Sequence, residues 1–325
     1  MSRPIILNLN AVILAVTDEQ PRVLTVRRDP VHNRETIGWA LPAGPLDPDS
    51  DRTLELALRQ WIRQQTDIEV GYVEQLYTFA DRGRDPGEIG GGARLVSVAY
   101  LALVREQATA PAISAQWQNV YEFVPWEDRR RGAADAPPLV KPLRAWAAKA
   151  PDPARRQQRL ERLALSFGLT AAGWDGYQAL ERYELLYEAG IVAEACRDRG
   201  RRGLASSGLP AGTAMALDHR RILATALARV RGKLKYRPLV FELLPPAFTL
   251  LQLQRIVEAL SGIHLHKQNF RRLVEGARLV EGTGQRQATG PGRPAELFRF
   301  RREVLRERQG PGVRLPAMGV RRPQR

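Results

Sequence analysis

The chain is poor in the residues that build disulfides and structural metal sites. Its 325 residues include one cysteine, Cys196, and four histidines. A single cysteine excludes an internal disulfide, and so few sulfur and imidazole ligands argue against structural zinc. No apolar run approaches the roughly 20 residues of a membrane span, and Met1 leads into alternating apolar residues rather than a signal peptide. We therefore expect a cytoplasmic protein with no metal, no membrane contact and no cofactor.

Acidic residues are scarce in only one part of the chain. Residues 1–212 hold 27 Lys and Arg against 27 Asp and Glu, whereas residues 213–325 hold 23 against 8. The formal net charge of +15 therefore belongs entirely to the last third. A neutral part joined to a strongly basic part predicts a polyanionic partner for the basic part. A solvated basic surface without a ligand would have the same composition. Sequence motifs are therefore needed to distinguish it from a surface that binds a polyanion.

The front of the chain has the periodicity of an α+β domain. Leu54, Ala57, Leu58, Trp61 and Ile62 share one face at helical spacing, which predicts a helix over residues 53–65 with Asp51 as its N-cap. Apolar and β-rich segments predict strands on both sides of it, at residues 4–16, 22–28, 37–41, 70–81 and 95–104. These elements indicate a first domain over residues 1–150, in which 126–150, with an Arg run and a Pro pair, resembles a linker or surface loop.

The middle of the chain is predicted to be helical. Apolar residues recur at helical spacing within residues 155–199, and residues 200–212 form a Gly, Ser and Arg linker. We interpret residues 151–212 as a helical connector that could support dimerisation. The last residues, 303–325, have the composition of a disordered basic tail.

Residues 248–276 fit a helix-turn-helix. Thr249 is placed as the cap of a first helix that ends at Gly262, and a basic second helix runs from about Lys267 to Glu275. A Gly-rich hairpin with its tip at residues 290–292 follows as a wing, which completes a winged helix domain over residues 213–302. Arg and Lys pair with guanine, and Asn and Gln pair with adenine. The predicted DNA-binding residues are Thr249, Lys267, Gln268, Asn269, Arg271, Arg272, Arg286 and Arg293.

Binding of single-stranded RNA is a weaker alternative for this domain. The second helix lacks the aromatic platform on which unpaired bases stack. Double-stranded DNA is therefore the favoured partner.

Residues 41–44, Leu-Pro-Ala-Gly, followed by Asp47 and an amphipathic helix, resemble the start of a Nudix box. That box has the pattern G-x5-E-x7-R-E-U-x-E-E-x-G-U, with U apolar, and its paired glutamates hold Mg²⁺ at a diphosphate. Placed on Gly44, it puts Ser50 at the first Glu. Aligning its Arg with Arg59 puts Gln60 at the next Glu and Arg63 and Gln64 at the metal-binding pair. Gln65 is then an extra residue, and Asp67 replaces the closing Gly.

The expected consequence is a Nudix-like domain without catalysis. Mg²⁺ requires hard anionic oxygens, and neutral amides cannot replace a carboxylate-held metal in activating water. We predict no catalytic residue and no enzyme activity. The alternative is a Nudix-type hydrolase of ADP-ribose or a nucleoside diphosphate, with a nucleic-acid-binding tail.

Longer segments resemble the Nudix-related transcriptional regulators of NAD biosynthesis, the NrtR and NadQ family. The likeness covers residues 1–125 and 213–302. The helical insert, with its Glu181–Tyr187 stretch, resembles the longer NadQ type rather than the shorter NrtR type. The segments that carry the likeness are 75–86, 96–103, 233–241, 243–245, 248–250, 269–272 and 292–295.

This resemblance implies an α/β/α Nudix-like sandwich, a helical insert and a C-terminal winged helix-turn-helix. It also implies a homodimeric regulator, usually a repressor, that binds palindromic operator DNA at genes of NAD biosynthesis or pyridine-nucleotide recycling. Its effector is an adenine nucleotide, which is ADP-ribose in the NrtR type; for the NadQ type ATP and NAD are also allowed.

Without metal ligands, the phosphates of such an effector need arginines, and its adenine needs an aromatic face. Core packing is the competing interpretation for each aromatic candidate, and a solvated strand end for the first two arginines. The predicted effector-binding residues are Arg27, Arg28, Arg59, Arg63, Arg82, Arg84, Asp81, Trp39, Tyr77 and Phe79.

Overall fold

The computed structural model describes residues 3–28, 38–82, 84–85, 88, 91–106, 115–130, 138–199, 209–234, 238–288 and 294–304. Its front half is built on a seven-stranded sheet with the path β3-β2-β1-β6-β5, from which β4 pairs with β1 and β7 with β2. The strands are β1 Ile5–Thr17, β2 Gln20–Arg28, β3 Gly38–Ala40, β4 Ala43–Pro45, β5 Tyr72–Phe79, β6 Arg94–Leu103 and β7 Ala115–Asn119. The predicted strands of this half are thereby confirmed, with small shifts at their ends.

Two helices cover the two faces of this sheet. Helix α1, Leu54–Thr66, packs Ala57, Leu58 and Ile62 on the odd-numbered residues of β1, from Leu9 to Ala15. Helix α7, His219–Leu234, packs on the opposite face, which presents Val12 and Leu14. Successive side chains of a strand point to opposite faces, so the nearly continuous apolar run of β1 supplies both cores. The predicted α/β/α sandwich is confirmed.

The N-cap predicted for α1 is wrong by two residues. Thr53, in extended conformation, accepts a hydrogen bond from the backbone N–H of Leu56 and begins the helix. Asp51 instead accepts a hydrogen bond from the Asp47 N–H, at 2.8 Å. Asp51 therefore stabilises the loop before the helix, and the presence of an acidic residue near the helix start did not identify the N-cap.

The segment predicted as a linker, residues 126–150, contributes to the core. The side chains of Trp126 and Glu127 are buried directly after α2, Val120–Phe123. Helix α3, Val140–Ala148, buries Val140, Leu143 and Ala147. Residues 131–137 lie outside the described residues. The Arg run and the Pro pair were misleading because apolar residues on both sides of them anchor the segment.

The predicted connector is helical and packs on α7. Its helices are α4 Pro153–Ser166, α5 Ala179–Glu188 and α6 Ala193–Asp198. Leu163 and Phe167 of the predicted stripe are buried, whereas Leu165 beside them is 60 % exposed. The linker predicted at residues 200–212 lies outside the described residues up to residue 208.

The last part contains a helix-turn-helix and a two-stranded wing. A short 3-10 helix at Leu239–Leu243 precedes α8, Leu250–Ser261, and α9, Lys267–Gly276. Strands β8, Val280–Gln287, and β9, Ala295–Phe300, pair antiparallel. The predicted tip at residues 290–292 and residues 305–325 of the predicted tail lie outside the described residues. Val304, which lies within the predicted tail of residues 303–325, is buried in the core, so the start of the tail at residue 303 was placed too early.

Helix α7 belongs with the sheet, although it lies within the predicted winged helix domain of residues 213–302. Its apolar face contacts the sheet and α5, and the winged helix itself begins after it. No helix among the described residues is long and apolar enough to cross a membrane.

Candidate functional site

The helix-turn-helix has a complete cap and a tight turn. Thr249 Oγ1 accepts a hydrogen bond from the Gln252 N–H at 3.2 Å, and Gln252 Oε1 accepts one from the Thr249 N–H at 2.7 Å. This reciprocal pair is a capping box. Gly262 ends α8 with a φ of 71°, in the left-handed region. The predicted cap and turn residues are confirmed.

Thr249 is the least accessible of the predicted DNA contacts. Its side chain is buried, at 5 % exposure, and its hydroxyl oxygen accepts the capping hydrogen bond. The helix start is confirmed, whereas the DNA contact, which would use the hydroxyl proton, stays a prediction.

Helix α9 separates an apolar face from a polar one. Phe270 and Val274 are buried in the main core. The five side chains predicted to contact DNA are all exposed: Lys267, Gln268, Asn269, Arg271 and Arg272. The helix has no acidic residue in its first turn. This face therefore offers base-pairing and phosphate-binding groups without a carboxylate at its leading end.

The wing follows directly and is held to the start of α8. Phe248 N–H donates to the Phe298 carbonyl at 2.9 Å, and Phe298 N–H donates back at 2.8 Å. Arg286 is exposed on β8. Arg293, the other predicted wing contact, lies outside the described residues.

The end of α8 is bound by the body of the protein. Three carbonyls accept hydrogen bonds there: Ala259 from the Tyr121 hydroxyl at 2.6 Å, Leu260 from Arg231 Nε at 3.0 Å, and Gly262 from the Arg129 N–H at 2.7 Å. The last carbonyls of a helix have no partners within it, and a cation is favourable at that end. The body thus supplies the partners that the helix lacks.

A buried ion network lies behind these contacts. Glu127 accepts from Arg182 Nε at 2.6 Å and Nη2 at 2.8 Å, and it pairs with Arg231 as well. All three side chains are almost fully buried. Burial would raise the pKa of Glu127, but the two guanidinium groups outweigh it and hold that pKa below its ordinary value. Burial also raises the pKa of the neighbouring Tyr121 to about 12.

The opposite end of the sheet gathers most of the predicted effector residues. β2 runs antiparallel to β1, and β5 runs antiparallel to β6, which is parallel to β1. The ends of β2 and β5 therefore meet at the start of β1. Arg27 is exposed at the end of β2, with its guanidinium 4.3 Å from the ring centre of Trp39. Asp81 and Arg82, also exposed, follow β5.

Three predicted effector residues are already engaged. Arg84 is buried and binds Asp218 through two nitrogens, with Nε at 2.9 Å from Oδ2. Phe79 packs in the core, as the competing interpretation allowed. Arg59 donates to Glu55 Oε1 at 2.8 Å and to the Gly71 carbonyl at 3.0 Å. These side chains need to exchange partners, or in the case of Phe79 to leave the core, before they can contact a ligand.

Other predicted residues lie apart from that end. Arg59 and the exposed Arg63 line a shallow groove of about 370 Å³ beside α1, together with Gln60, Ile68, Glu69 and Val70. Tyr77 is 64 % exposed on β5, which is an edge strand, and its ring meets the edge of Phe79. Arg28 ends β2, and its side chain lies outside the description. The structure thus divides the ten residues among separate places.

The box helix also corrects our placement of the Nudix pattern. α1 is a single regular helix, so it contains no extra residue. Asp67 follows it with a left-handed φ of 57°, which is the conformation a closing Gly would adopt, and the buried Ile68 follows as the final apolar position. Counting back places the buried Ile62 at U. The extra residues therefore lie in the loop before the helix.

In this register the glutamate positions hold Trp61, Gln64 and Gln65. Gln65 binds the backbone of Ala43, accepting from its N–H at 3.1 Å and donating to its carbonyl at 2.6 Å. Trp61 donates to the Pro45 carbonyl at 2.9 Å and lies so close to Gly44 that a Cβ there would be 2.1 Å from its ring. An indole and an amide at these positions therefore fasten the loop to the helix.

Some residues of these sites carried no sequence signal. Asp218 binds Arg84, and Arg221 binds Asp81 at 3.0 Å and also Glu184. Glu127 and Arg231 lie in a predicted linker and a predicted amphipathic helix. Their partners are far away along the chain, and neither spacing nor composition marks such contacts.

Comparisons with known proteins agree with this architecture. Residues 240–300 match the NrtR DNA-binding winged helix domain. The chain is 24 % identical over 295 residues to the ADPR responsive transcriptional repressor NtrR of Acinetobacter baylyi, covering 91 % of this chain and 82 % of that protein.

Two solved structures share the fold over nearly the whole chain. NrtR of Shewanella oneidensis, crystallised with a 27mer DNA, has a TM-score of 0.55 at 22 % identity and covers 92 % of this chain and 94 % of its own. A MutT/nudix family protein from Enterococcus faecalis has a TM-score of 0.52 at 17 % identity, with 93 % and 88 % covered. The closer likeness to the NadQ type stays a prediction. The chain therefore shares the fold of these structures, and its residues 240–300 match the NrtR DNA-binding winged helix domain.

Proposed function

We propose that the protein is a transcriptional repressor whose affinity for its operator is set by an adenine nucleotide bound in the Nudix-type domain. The observation that carries this proposal is the exposed polar face of α9. Its helix-turn-helix is hydrogen-bonded to that domain by Tyr121, Arg129 and Arg231. The Acinetobacter relative, which spans most of this chain, is a repressor that responds to ADPR. ADP-ribose is therefore the first candidate effector, with ATP and NAD behind it.

The DNA-binding roles divide by chemistry. Asn269 is suited to a bidentate contact with adenine, and Arg272 to a phosphate or guanine. Asn269→Ala should relax base preference by roughly 1–3 kcal/mol. Arg272→Ala should weaken operator and random DNA about equally and lower the salt slope by roughly one, if its contact is a phosphate. Equal losses on both DNAs for Asn269→Ala would contradict its role.

A homodimer on a palindromic operator is part of the proposal. Two-fold helix-turn-helix dimers contact half-sites about one helical turn, roughly 34 Å, apart. A change in the relative placement of two winged helices then alters the fit to both half-sites. The target genes that we propose are those of NAD biosynthesis or pyridine-nucleotide recycling.

The effector site that we propose is the end of the sheet that carries Arg27 and Trp39 on one side of β1 and β6 and Asp81 and Arg82 on the other. Guanidinium groups bind phosphate oxygens bidentately, and the Trp39 face, now covered by Arg27, would accept adenine. Arg84 joins them once it leaves Asp218. Arg63 and Tyr77 lie apart and are weaker candidates.

We propose that the domain does not hydrolyse its ligand. Trp61, Gln64 and Gln65 offer no anionic oxygen to Mg²⁺, and Gln65 is already bound to Ala43. Incubation with ADP-ribose and Mg²⁺ should release no AMP. Clear turnover would favour the hydrolase alternative.

The experiment that tests the proposed function is operator binding by mobility shift at fixed salt, with and without ADP-ribose, ATP and NAD. A nucleotide that changes binding to the operator, but not to random DNA, supports the proposal and names the effector. Specific binding that ignores all three nucleotides would remove the sensor role.

A further inference from the structure

Helix α7 connects the proposed effector end of the sheet to the helix-turn-helix. Its 16 residues span about 24 Å at 1.5 Å per residue. Its beginning lies at the end of the sheet that carries Arg84 and Asp81, because Asp218 and Arg221 bind these two residues. Its last turns lie at the end where β5 begins. Both Arg229 and Lys233 bind Glu74 there, each at 2.7 Å.

The beginning of α7 is fixed to the sheet by a buried imidazole. His219 Nδ1 accepts a hydrogen bond from the Leu41 N–H at 2.9 Å, and its Nε2 lies 3.2 Å from the Asn10 side chain. Leu41 opens the loop that Gln65 and Trp61 fasten to α1. A displacement at this end of α7 therefore also displaces the loop that begins at Leu41.

The far end of α7 packs against the helix-turn-helix and contributes one polar side chain, Arg231, to the contact. Arg231 donates to the Leu260 carbonyl at 3.0 Å and to the Glu127 carbonyl at 3.1 Å, and it pairs with the Glu127 carboxylate. These bonds fix both the distance and the direction of α8 relative to α7. An arginine can do this because its planar fork has several donors in a fixed geometry.

The groups around this contact are tightly packed. A Cβ at Gly262 would lie 2.2 Å from the Glu127 carbonyl oxygen and 2.9 Å from Arg231 Nη2. Arg182 occupies the other side of the same carboxylate. Packed groups of this kind change between discrete arrangements rather than deforming gradually. Together with the Tyr121 and Arg129 contacts, Arg231 therefore holds the end of α8 in one position.

We propose that Arg231 is the positioning residue that couples the nucleotide site to the helix-turn-helix, with α7 as the rigid element between them. This inference rests on the proposed function. Effector phosphates attract Arg84 away from Asp218, so the residue just before α7 loses its ion pair with the sheet domain. Helix α7 then shifts, and Arg231 and α8 shift with it. A ligand has this effect only if it binds the two arrangements with different affinity, and the exchange of Arg84 between Asp218 and phosphate supplies that difference.

The test is operator affinity with and without ADP-ribose, measured by fluorescence anisotropy on the full-length protein. For the unchanged chain we expect a change of about 5- to 150-fold, the usual range of allosteric coupling. Arg231→Lys keeps the charge but loses the fork. It should retain operator binding without nucleotide and reduce the ratio of the two affinities to less than about twofold, an effect of the lost coupling.

Arg162→Lys is the matched control. Arg162 also forms a two-pronged pair, with Glu188 at 2.8 and 2.9 Å, but it lies on α4, away from the path. This variant should keep the full nucleotide response. Calorimetric titration without DNA should show that Arg231→Lys still binds ADP-ribose, which separates loss of coupling from loss of the ligand.

If Arg231→Lys does not fold, Tyr121→Phe replaces it, because that change removes only the hydroxyl bound to the Ala259 carbonyl. It should lower the ratio of affinities by at least about twofold, as part of the same coupling. A full response in whichever of these variants folds overturns the role of the arginine contact. The absence of any response in the unchanged chain would instead overturn the proposed function itself, and this inference with it.

Discussion

The two faces of the sheet are covered in different ways. On one face α1 packs on the sheet through the apolar side chains Ala57, Leu58 and Ile62. On the other face α7 brings buried or nearly buried arginines, each paired: Arg231 with Glu127, and Arg220 with Glu194 close by. Apolar contacts are nondirectional, whereas ionic hydrogen bonds fix distance and angle. Both faces therefore contribute apolar burial, and the ionic contacts of the second also define one arrangement of its parts.

The largest expected effect comes from breaking the ionic face. Glu127→Ala leaves Arg182 and Arg231 buried without their carboxylate. Removing one partner of a buried pair typically costs about 3–5 kcal/mol, so we expect a loss of that size in the free energy of unfolding, measured by urea denaturation. A loss under about 1 kcal/mol would mean that the network behaves like a surface pair.

A smaller loss is expected from filling the turn of the helix-turn-helix. Gly262→Ala adds a Cβ in a left-handed conformation and against the Glu127 carbonyl, 2.2 Å away. Gly284→Ala is the matched control, since its φ of 75° is similar and nothing lies within 4 Å.

The control should cost about 1–2 kcal/mol for the backbone conformation alone. Gly262→Ala should cost roughly 1–3 kcal/mol more from overpacking, and thermal unfolding measures the difference. Equal losses for the two variants would show that the turn is not tightly docked.

The aliphatic face gives a smaller effect of a different kind. Ile62→Val removes one buried methylene under the sheet and should cost about 0.5–1.5 kcal/mol. Since α1 packs on the face of the sheet opposite to α7, the nucleotide response measured by anisotropy should stay as it is in the unchanged chain. A changed response would place α1 on the path.

The smallest expected effect is the change of stability with pH that comes from the titration of Glu127, and it is seen only in acid. Its pKa is held below the ordinary value of 4.5. A depressed carboxyl pKa adds stability that is present above the unfolded value and is lost as the pH falls through the folded one. Stability should therefore decline below about pH 4.5, and Glu127→Gln should decline less over that range. Parallel pH profiles for the two proteins would contradict this cause.

The sequence predicted elements better than it predicted contacts. Strands, the box helix and the helix-turn-helix follow from local periodicity and caps, and all of them were found. The pair of Arg84 with Asp218 spans 134 residues, and no local pattern marks it. Burial of Glu127 in a segment with an Arg run and a Pro pair was likewise invisible, because a charged residue looks the same whether its partner is water or a distant arginine.

The candidate site was likewise predicted only as far as local patterns determine it. Exposure of the α9 side chains follows from the helical period. Engagement of Arg59 by the Gly71 carbonyl and of Arg84 by the Asp218 carboxylate depends on groups that only the folded chain brings near. Even the placement of the Nudix pattern needed the left-handed Asp67 to fix its register.

The location of α7 has a consequence for synthesis of the chain. Asn10 and His219, which meet at the beginning of this helix, are 209 residues apart. At about 5–20 residues per second, the Val12 and Leu14 face of the nascent sheet waits on the order of 10–40 seconds for its cover. During that time a trigger-type holding chaperone has an exposed apolar surface to bind, and a fragment that stops at residue 212 should aggregate or bind a hydrophobic dye. A soluble, dye-free fragment would show that the early half closes by itself.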